Sequence, residues 1–137
     1  MHAKAVNFLK KLEGEAALLF HDDADGACSA ALMIKYLKSR KISYKLFTGG
    51  CSDLPAGAFA GFGGVIFVDL AIDQYAELTG KLKGSKVLVI DHHPVSHDLN
   101  KEGFVHVNPR IKKPEIYVSA SMVCLEVCRG LGMKDVE

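Results

Sequence analysis

Three short, continuously apolar runs of this chain lead directly into acidic residues, and this pattern constrains the fold more than any other feature. The runs are AALLF before His21 and Asp22, VIFV before Asp69, and VLVI before Asp91. Strands that are apolar throughout are typical of a parallel sheet buried on both faces, whereas strands with one wet face alternate. Parallel strands also need long crossover connections, usually helices. The pattern therefore predicts helices between these strands.

The segments between the apolar runs carry that helical periodicity. We predict strands over residues 15–20, 42–47, 65–69, 86–91 and 104–108, and helices over residues 3–13, 27–40, 73–83 and 117–132. Residues 49–64 contain many glycines and one proline, which predicts a loop. We therefore expect an α/β fold, a doubly wound and mainly parallel five-stranded sheet with helices on both faces, in one domain over residues 1–137.

Composition excludes several classes of protein. The net charge of +1 does not indicate an indiscriminate binder of polyanions. No apolar run approaches the roughly 20 residues that span a bilayer, and the first residues lack the apolar core of a signal peptide. We expect a cytoplasmic protein without membrane contact. Cys124 and Cys128 lie in an apolar helical run, which favours buried core positions over metal ligation.

The cluster HDDAD after the first strand has two interpretations. In an extended chain His21, Asp23 and Asp25 project to one side, as a metal site requires. The three aspartates of this cluster could equally cap the following helix and interact with its dipole. The cluster by itself does not decide between the two.

Acidic residues and histidines from other strand ends favour the metal site. The carboxyl ends of neighbouring parallel strands share one crevice, which would bring Asp69, Asp91, His92 and His93 towards the cluster. Carboxylate and imidazole donors suit manganese, with magnesium or cobalt as substitutes, better than a thiolate zinc site. We interpret His97 and Asp98 as loop residues and Asn108, before a proline, as part of a turn.

The three motifs HDDADG, VDLA and VIDHHP, in this order, resemble those of the DHH phosphoesterase superfamily. The resemblance covers residues 15 to about 132, including the VNP and SAS segments. Some branches place the first histidine where this chain has Leu19, and the position of His21 is more similar to archaeal RecJ-like members. The resemblance implies an N-terminal catalytic domain of the RecJ type.

The resemblance also implies roles for individual residues, in a site that holds two manganese ions. His21, Asp23 and Asp25 would be ligands, Asp69 would bridge both ions, and His92 would bind the second ion. Two residues would be catalytic: His93 would meet the substrate phosphate, and Asp91 would position the histidines. The helix start after Gly26 could add backbone donors for phosphate.

The chain departs from the family pattern at its end. The family's fourth acidic motif has no counterpart here, because Asp135 has no strand before it, and the accessory domain is also not found. These departures predict a truncated or short protein that binds at least one divalent ion and hydrolyses its substrate slowly. The expected partner is a phosphate-containing substrate, either a short oligonucleotide or single-stranded nucleic acid, or a phosphoanhydride. Arg110, Lys112 and Lys113 form a basic patch, interpreted as solvated charge.

Two other functions fit parts of the sequence. A non-catalytic relative would act as a binding or scaffolding module, which the missing fourth motif favours. A phospho-acceptor receiver domain also has an acidic pair after its first strand and an aspartate, here Asp69, after its third. The receiver leaves His21, His92 and His93 without a role.

Overall fold

The computed structural model describes residues 1–49 and 57–136, and in these residues the chain forms five parallel strands and four α-helices. The strands are β1 (Ala16–Phe20), β2 (Tyr44–Thr48), β3 (Gly64–Val68), β4 (Val87–Ile90) and β5 (Val105–Val107). The helices are α1 (Ala3–Lys10), α2 (Ala24–Ser39), α3 (Ala76–Lys81) and α4 (Ala120–Gly130). Short 3-10 turns cover Ile72–Gln74, Leu99–Glu102 and Pro109–Ile111.

The strands form one sheet in the order β2-β1-β3-β4-β5, and every pairing is parallel. Alternate residues of each central strand face opposite sides of the sheet. On one side, strand residues such as Leu18 and Ile66 pack with α1, α2 and α4. On the other, residues such as Leu19 and Phe67 pack with α3 and its flanking loops. The predicted doubly wound α/β fold, with helices on both faces, is confirmed.

Helix boundaries differ from the sequence-based prediction where side chains cap the helices. Helix α2 begins at Ala24, three residues before the predicted 27, because Asp23 accepts a hydrogen bond from Gly26 N at 2.8 Å. Helix α4 begins at Ala120 instead of residue 117, because Ser119 Oγ accepts a hydrogen bond from Met122 N at 3.2 Å. The predicted helix 73–83 is a 3-10 turn followed by the short α3.

The described cysteines of α4 agree with the sequence-based prediction, and the lengths of the helices bear on the expected lack of membrane contact. Cys124 and Cys128 are buried in the core, as predicted, and burial raises the pKa of both thiols, that of Cys128 to about 11. Cys51 and residues 50–56 of the predicted glycine-rich loop lie outside the described residues. In the part of the chain that the structure describes, no helix is long and apolar enough to cross a membrane.

Candidate metal centre

The carboxyl ends of β1, β3 and β4 lie side by side at one edge of the sheet. Phe20 is the register partner of Val68, and Val68 of Ile90. The chain leaves β1 towards β2 on one side of the sheet and later adds β3 on the other side of β1. Such a switch of direction opens a crevice between the crossover connections, where ligands bind in this class of sheet. The acidic residues that follow the three strands therefore surround this crevice.

Two groups of potential metal ligands occupy this crevice and share one residue. The first group is His21, Asp23 and Asp69, and the second is Asp69, His92 and His93. Within each group the ligand atoms all lie within 4.8 Å of one another. Ligands about 2.1 Å from one ion lie up to about 4.2 Å apart, so small side-chain movements would close either group around a cation. Asp69 belongs to both groups.

Asp69 has a buried carboxylate, one oxygen of which accepts no hydrogen bond from the described residues. Its side chain is 2% exposed, and its Oδ1 atom accepts no hydrogen bond from the described residues. His92 Nε2 lies 3.2 Å from Oδ1 but is not placed for a hydrogen bond. Burial raises the pKa of Asp69 to about 6, and the negative charges of Asp25 and Asp23 add to the shift. A buried carboxylate in this condition favours a nearby cation.

Asp23 serves the helix and faces the centre with different oxygen atoms. Its Oδ1 accepts the hydrogen bond from Gly26 N that starts α2, and its Oδ2 lies 2.9 Å from His21 Nδ1. The backbone hydrogen bond and the neighbouring His21 hold the pKa of Asp23 below its usual range. The capping and metal-binding interpretations of this residue are therefore compatible.

Asp25 does not lie where an extended chain would put it, so the extended conformation expected for residues 21–25 is wrong, whereas the role of Asp25 as a metal ligand stays a prediction. Because α2 begins at Ala24, Asp25 belongs to the first helical turn. Its two carboxylate oxygens accept hydrogen bonds from Ala120 N and Ser121 N, each at 2.8 Å, at the start of α4. Burial works against its charged form, but these hydrogen bonds outweigh burial and lower its pKa. Asp25 is in neither ligand group, although its Oδ2 lies 3.6 Å from His92 Nε2.

Gly26 is required by the close approach of α2 to the end of β1. A Cβ atom at this position would lie 2.0 Å from the carbonyl oxygen of His21, a distance too short for any side chain. Its N–H already donates to Asp23. The phosphate contact predicted for Gly26 stays a prediction, and it would require that hydrogen bond to be released.

Asp91 is paired with His93 through both of its carboxylate oxygens. Asp91 is 1% exposed, and its Oδ1 lies 2.7 Å from His93 Nδ1, while its Oδ2 accepts a hydrogen bond from His93 N at 3.3 Å. The hydrogen bond to Asp91 raises the pKa of His93 against the effect of burial. This pairing assigns the proton to Nδ1 and leaves Nε2 free for another partner. Asp91 is thus a positioning residue for His93.

Asn108 holds the histidine loop in place, which sequence reasoning missed by treating it as a turn residue. It is 2% exposed, and its Nδ2 donates to the carbonyl oxygen of His93 at 3.0 Å. Its Oδ1 accepts from Arg110 N at 2.9 Å and so starts the 3-10 turn that follows β5. The sequence signal that could have indicated this role is the position of Asn108, a polar residue directly after the apolar strand β5.

The loop residues that were not expected to bind metal have structural partners. His97 Nε2 lies 3.1 Å from Glu102 Oε1, and Asp98 accepts a hydrogen bond from Asn100 N at 3.0 Å. Both residues lie in or beside the Leu99–Glu102 turn, as expected for a loop.

The donors of the centre fit a hard or intermediate divalent cation. Among residues 1–49 and 57–136, no lysine or arginine forms an ion pair with Asp23, Asp25, Asp69 or Asp91. Carboxylate oxygens and imidazole nitrogens are ligands of manganese and related ions. Described cysteine thiols lie in neither group. The centre therefore has the ligands and the uncompensated negative charge that a divalent ion requires.

Comparison with protein families gives a match over nearly the whole chain. Residues 16–136 match the profile described as "DHH family, N-terminal domain". No curated protein matches the sequence.

Solved structures with the same fold include two RecJ proteins. An exonuclease RecJ bound to manganese superposes with a TM-score of 0.78 at 19% identity. RecJ from Thermus thermophilus in complex with Mn²⁺ gives a TM-score of 0.77 at 20% identity. An exopolyphosphatase-related protein from Bacteroides fragilis gives 0.64 at 13% identity. At sequence identities this low, the superpositions show a shared fold only.

The chain matches only a part of each of these proteins. The two RecJ superpositions each cover 95% of this chain but 37% and 20% of the RecJ chains. The Bacteroides fragilis superposition covers 96% of this chain and 43% of the other. The chain thus spans less than half the length of these three relatives.

Proposed function

This chain belongs to the DHH family, and from that premise we propose that its metal centre hydrolyses phosphodiester bonds in short oligonucleotides or single-stranded nucleic acid, or phosphoanhydride bonds. One observation carries the proposal. The buried Asp69 Oδ1, which accepts no hydrogen bond from the described residues, belongs to a residue shared by two groups of three potential ligands. A shared carboxylate between two ligand groups is the arrangement that two-metal hydrolysis uses.

In this proposal His21, Asp23 and Asp69 would hold one ion, and Asp69 and His92 would hold a second. Manganese is the proposed ion, with magnesium or cobalt as substitutes, since the donors are carboxylates and imidazoles. The two RecJ structures contain manganese, which supports the choice. Asp25 Oδ2 lies 3.6 Å from His92 Nε2, so its carboxylate is close enough to orient that histidine, and the ligand role expected from the sequence stays part of the proposal.

The ions, when bound, supply Lewis-acid polarisation of a phosphoryl group and activation of water. The protein supplies position and hydrogen bonds. Asp91 fixes the ring of His93 through Nδ1 and raises the pKa of His93, which favours the imidazolium form. In that form Nε2 also carries a proton and can donate a hydrogen bond to a phosphoryl oxygen. Asn108 fixes the backbone of the same residue. By distance His93 also fits the second ligand group, but its pairing with Asp91 favours the role in substrate binding.

The proposed substrate follows from what the relatives are described as acting on. RecJ is described as an exonuclease, and the Bacteroides fragilis protein as related to exopolyphosphatase. Both descriptions involve a phosphorus–oxygen bond between phosphate and its leaving group. We place oligonucleotides first because the RecJ superpositions have the higher TM-scores.

A receiver domain shares the strand order of this sheet, so the fold does not separate the two functions. The surroundings of Asp69 do. A phospho-acceptor aspartate needs an open carboxylate, whereas Asp69 is 2% exposed and is approached by His92 at 3.2 Å. These observations favour hydrolysis over phosphoryl acceptance.

The test is a turnover assay with manganese on an oligonucleotide, on pyrophosphate and on polyphosphate. Asp69→Asn should abolish turnover on every substrate that the wild type hydrolyses. Glu13→Gln is the control, because Glu13 is an exposed carboxylate before the start of β1, at the other end of the strand from the centre, and belongs to neither ligand group. Equal activity of wild type and Asp69→Asn would overturn the proposal. Manganese binding without turnover on any substrate would indicate instead a binding module.

A further inference from the structure

The residues that flank the segment 109–119 on both sides are hydrogen-bonded to residues of the metal centre. Before it, Asn108 Nδ2 donates to the carbonyl oxygen of His93 at 3.0 Å. After it, Ala120 N and Ser121 N donate to the carboxylate of Asp25, each at 2.8 Å. The 109–119 segment therefore runs along the border of the crevice between the histidine loop and the first turn of α2.

This segment presents cations without acidic partners. Arg110, Lys112 and Lys113 form no ion pair with any residue in 1–49 or 57–136, and both lysines are exposed. The buried Nε atom of Arg110 also donates no hydrogen bond to these residues. Glu115 is the single acidic residue of the segment, so its net charge is +2 from three cations and one anion. The segment beside the carboxylate-lined crevice is thus basic, and Lys112 lines a neighbouring cavity together with Asn108 and Lys4.

An aromatic ring stands on the same segment. Tyr117 is 93% exposed, whereas Tyr75 is 43% exposed and Tyr36 is buried. A single exposed ring is ordinary on a protein surface and does not by itself indicate a binding site. Tyr117 differs from other exposed rings in its position, since it lies on a basic segment whose two flanks are hydrogen-bonded to residues of the centre.

The distance along the chain fits one nucleotide beside the reacting phosphate. Tyr117 precedes Ala120 by three residues, and three extended residues span at most about 11 Å. Ala120 N contacts Asp25, whose carboxylate lies 3.6 Å from His92. A base can therefore reach the Tyr117 ring while the adjoining phosphate lies in the crevice.

We propose that the 109–119 segment is a binding site for single-stranded nucleic acid, in which Tyr117 stacks on a base while Lys112 and Lys113 contact the phosphate backbone. Stacking platforms combined with a basic track are how proteins hold single strands without reading their sequence. The inference rests on the proposed function and deepens it. It makes the substrate a strand that carries bases, in preference to pyrophosphate or polyphosphate, which offer no ring to stack on.

The test measures binding and not turnover. A fluorescein-labelled oligothymidylate of about ten nucleotides is titrated with the protein by fluorescence anisotropy, first in EDTA and then with manganese. Tyr117→Ala should weaken binding roughly 5- to 150-fold, the range of base–aromatic stacking. Tyr117→Phe keeps the ring and should bind like wild type, whereas Tyr117→Leu keeps apolar bulk only and should bind like Tyr117→Ala.

Two further measurements separate stacking from charge. An abasic oligomer and polyphosphate have no bases, so Tyr117→Ala should leave their affinities unchanged. Lys112→Ala with Lys113→Ala should weaken all three ligands and lower the salt dependence of oligothymidylate binding, by a slope of about 0.7 per lost phosphate contact. Lys83→Ala with Lys86→Ala is the matched control, because both lysines are exposed and Lys86 precedes β4 at the opposite edge of the sheet.

Tyrosine emission gives a direct readout of the ring. The chain has no tryptophan and four tyrosines, so its ultraviolet emission comes from tyrosine. Stacking should quench part of the wild-type emission on oligothymidylate binding, and Tyr117→Leu should lose that part.

Each outcome bears on one proposal or the other. Unchanged oligothymidylate affinity in Tyr117→Ala, or an equal loss for the abasic oligomer, would overturn the stacking site. So would the absence of measurable binding by wild type under both conditions. A chain that binds manganese and hydrolyses a substrate but fails this test refutes the stacking site alone. A chain that passes it but binds no manganese refutes the metal centre alone.

Discussion

At the scale of single residues, Asp69 combines a buried negative charge, which a bound cation would stabilise, with an unusual backbone conformation. Its carboxylate is buried near Asp25 and Asp23, which raises its pKa to about 6. Its backbone has a φ of +58°, in the left-handed region that aspartate and asparagine tolerate better than other side chains. Its N–H donates to the carbonyl oxygen of Ile90 at 3.0 Å, which ties this conformation to the end of β4.

Replacing Asp69 with asparagine should stabilise the metal-free protein and weaken metal binding. Asparagine carries no charge and accepts the left-handed backbone, so we expect the free energy of unfolding in EDTA at neutral pH to rise by about 1 kcal/mol. Manganese affinity should fall more than about 100-fold, since losing even an indirect partner of a ligand costs about 10–100-fold. Urea denaturation and calorimetry measure the two effects. Glu13→Gln, which removes an exposed carboxylate away from the centre, should change neither, and a destabilised Asp69→Asn protein would contradict the electrostatic account.

Manganese binding should weaken at acid pH. A proton on Asp69 competes with the ion, and the raised pKa places this competition below pH of about 6. The sign for the metal-free protein is opposite: the cost of ionising Asp69 is absent below its unfolded pKa of about 3.9 and grows as the pH rises to about 6. We expect manganese affinity at pH of about 5 to be at least about tenfold below its neutral value. Calorimetry across this range checks it, and a flat profile would contradict the raised pKa.

The two adjacent histidines should respond differently to substitution. His92 Nε2 points to Asp69 at 3.2 Å, whereas His93 Nδ1 is bound to Asp91 at 2.7 Å. His92→Ala should therefore lower both manganese affinity and turnover, and His93→Ala should lower turnover more than affinity. Paired calorimetry and phosphoesterase assays on both variants provide the measurement. Equal losses of metal affinity in the two variants would mean that both histidines are ligands.

At the scale of elements, the first turn of α2 connects three parts of the fold. Asp23 caps the helix, Asp25 receives the N-terminal N–H groups of α4, and Gly26 lies against the carbonyl oxygen of His21. The same turn thus sets the position of a proposed ligand, the docking of another helix and the distance from β1. Carboxylates at two helix starts also interact favourably with the helix dipoles.

Two glycine-to-alanine substitutions should have opposite effects. Gly26→Ala places a Cβ atom 2.0 Å from His21 O, and the required backbone shift should destabilise the protein by about 1–3 kcal/mol or more. It should also weaken manganese binding, because His21 and Asp23 move. Gly80 lies in α3 with no atom within 4 Å of an added Cβ, so Gly80→Ala should stabilise by about 0.5–1 kcal/mol. Denaturant unfolding measures the free energy of unfolding of both variants. An unchanged value for Gly26→Ala would contradict the steric account.

At the scale of the whole molecule, the metal centre links segments that the chain places far apart. Its proposed ligands follow β1, β3 and β4, which are neighbours only in the folded sheet. An unfolded chain cannot assemble them, so an ion that binds here binds the folded state alone. Metal binding should for this reason stabilise the folded state.

Manganese should therefore raise the melting temperature of the wild-type protein. At a free concentration of about 100 times Kd, mass action contributes about 2.7 kcal/mol of stability. For a domain of this size that is a rise of roughly 8–13 °C. Thermal unfolding with manganese and with EDTA measures it. Asp69→Asn should show a small shift or none, and an equal shift in the variant would place the ion elsewhere.

The chain by itself determined the fold class and which residue types gather at the strand ends. Continuous apolar runs can be buried only between two layers, so the parallel sheet followed from local composition. The aspartates and histidines after those runs had to lie at one edge, because parallel strands end together. The family resemblance followed from the same motifs, and the match over residues 16–136 confirms it.

The tertiary structure decided which neighbour each of those residues contacts. An extended chain would place Asp25 beside Asp23, but Asp25 binds the start of α4, because Asp23 begins the helix at Ala24. The sequence around Asn108 indicates only a turn, and its contact with His93 joins residues 15 positions apart. Sequence patterns report local periodicity and strand ends. Hydrogen bonds between a cap, a loop and a distant helix depend on the packing of whole elements, which no local pattern contains.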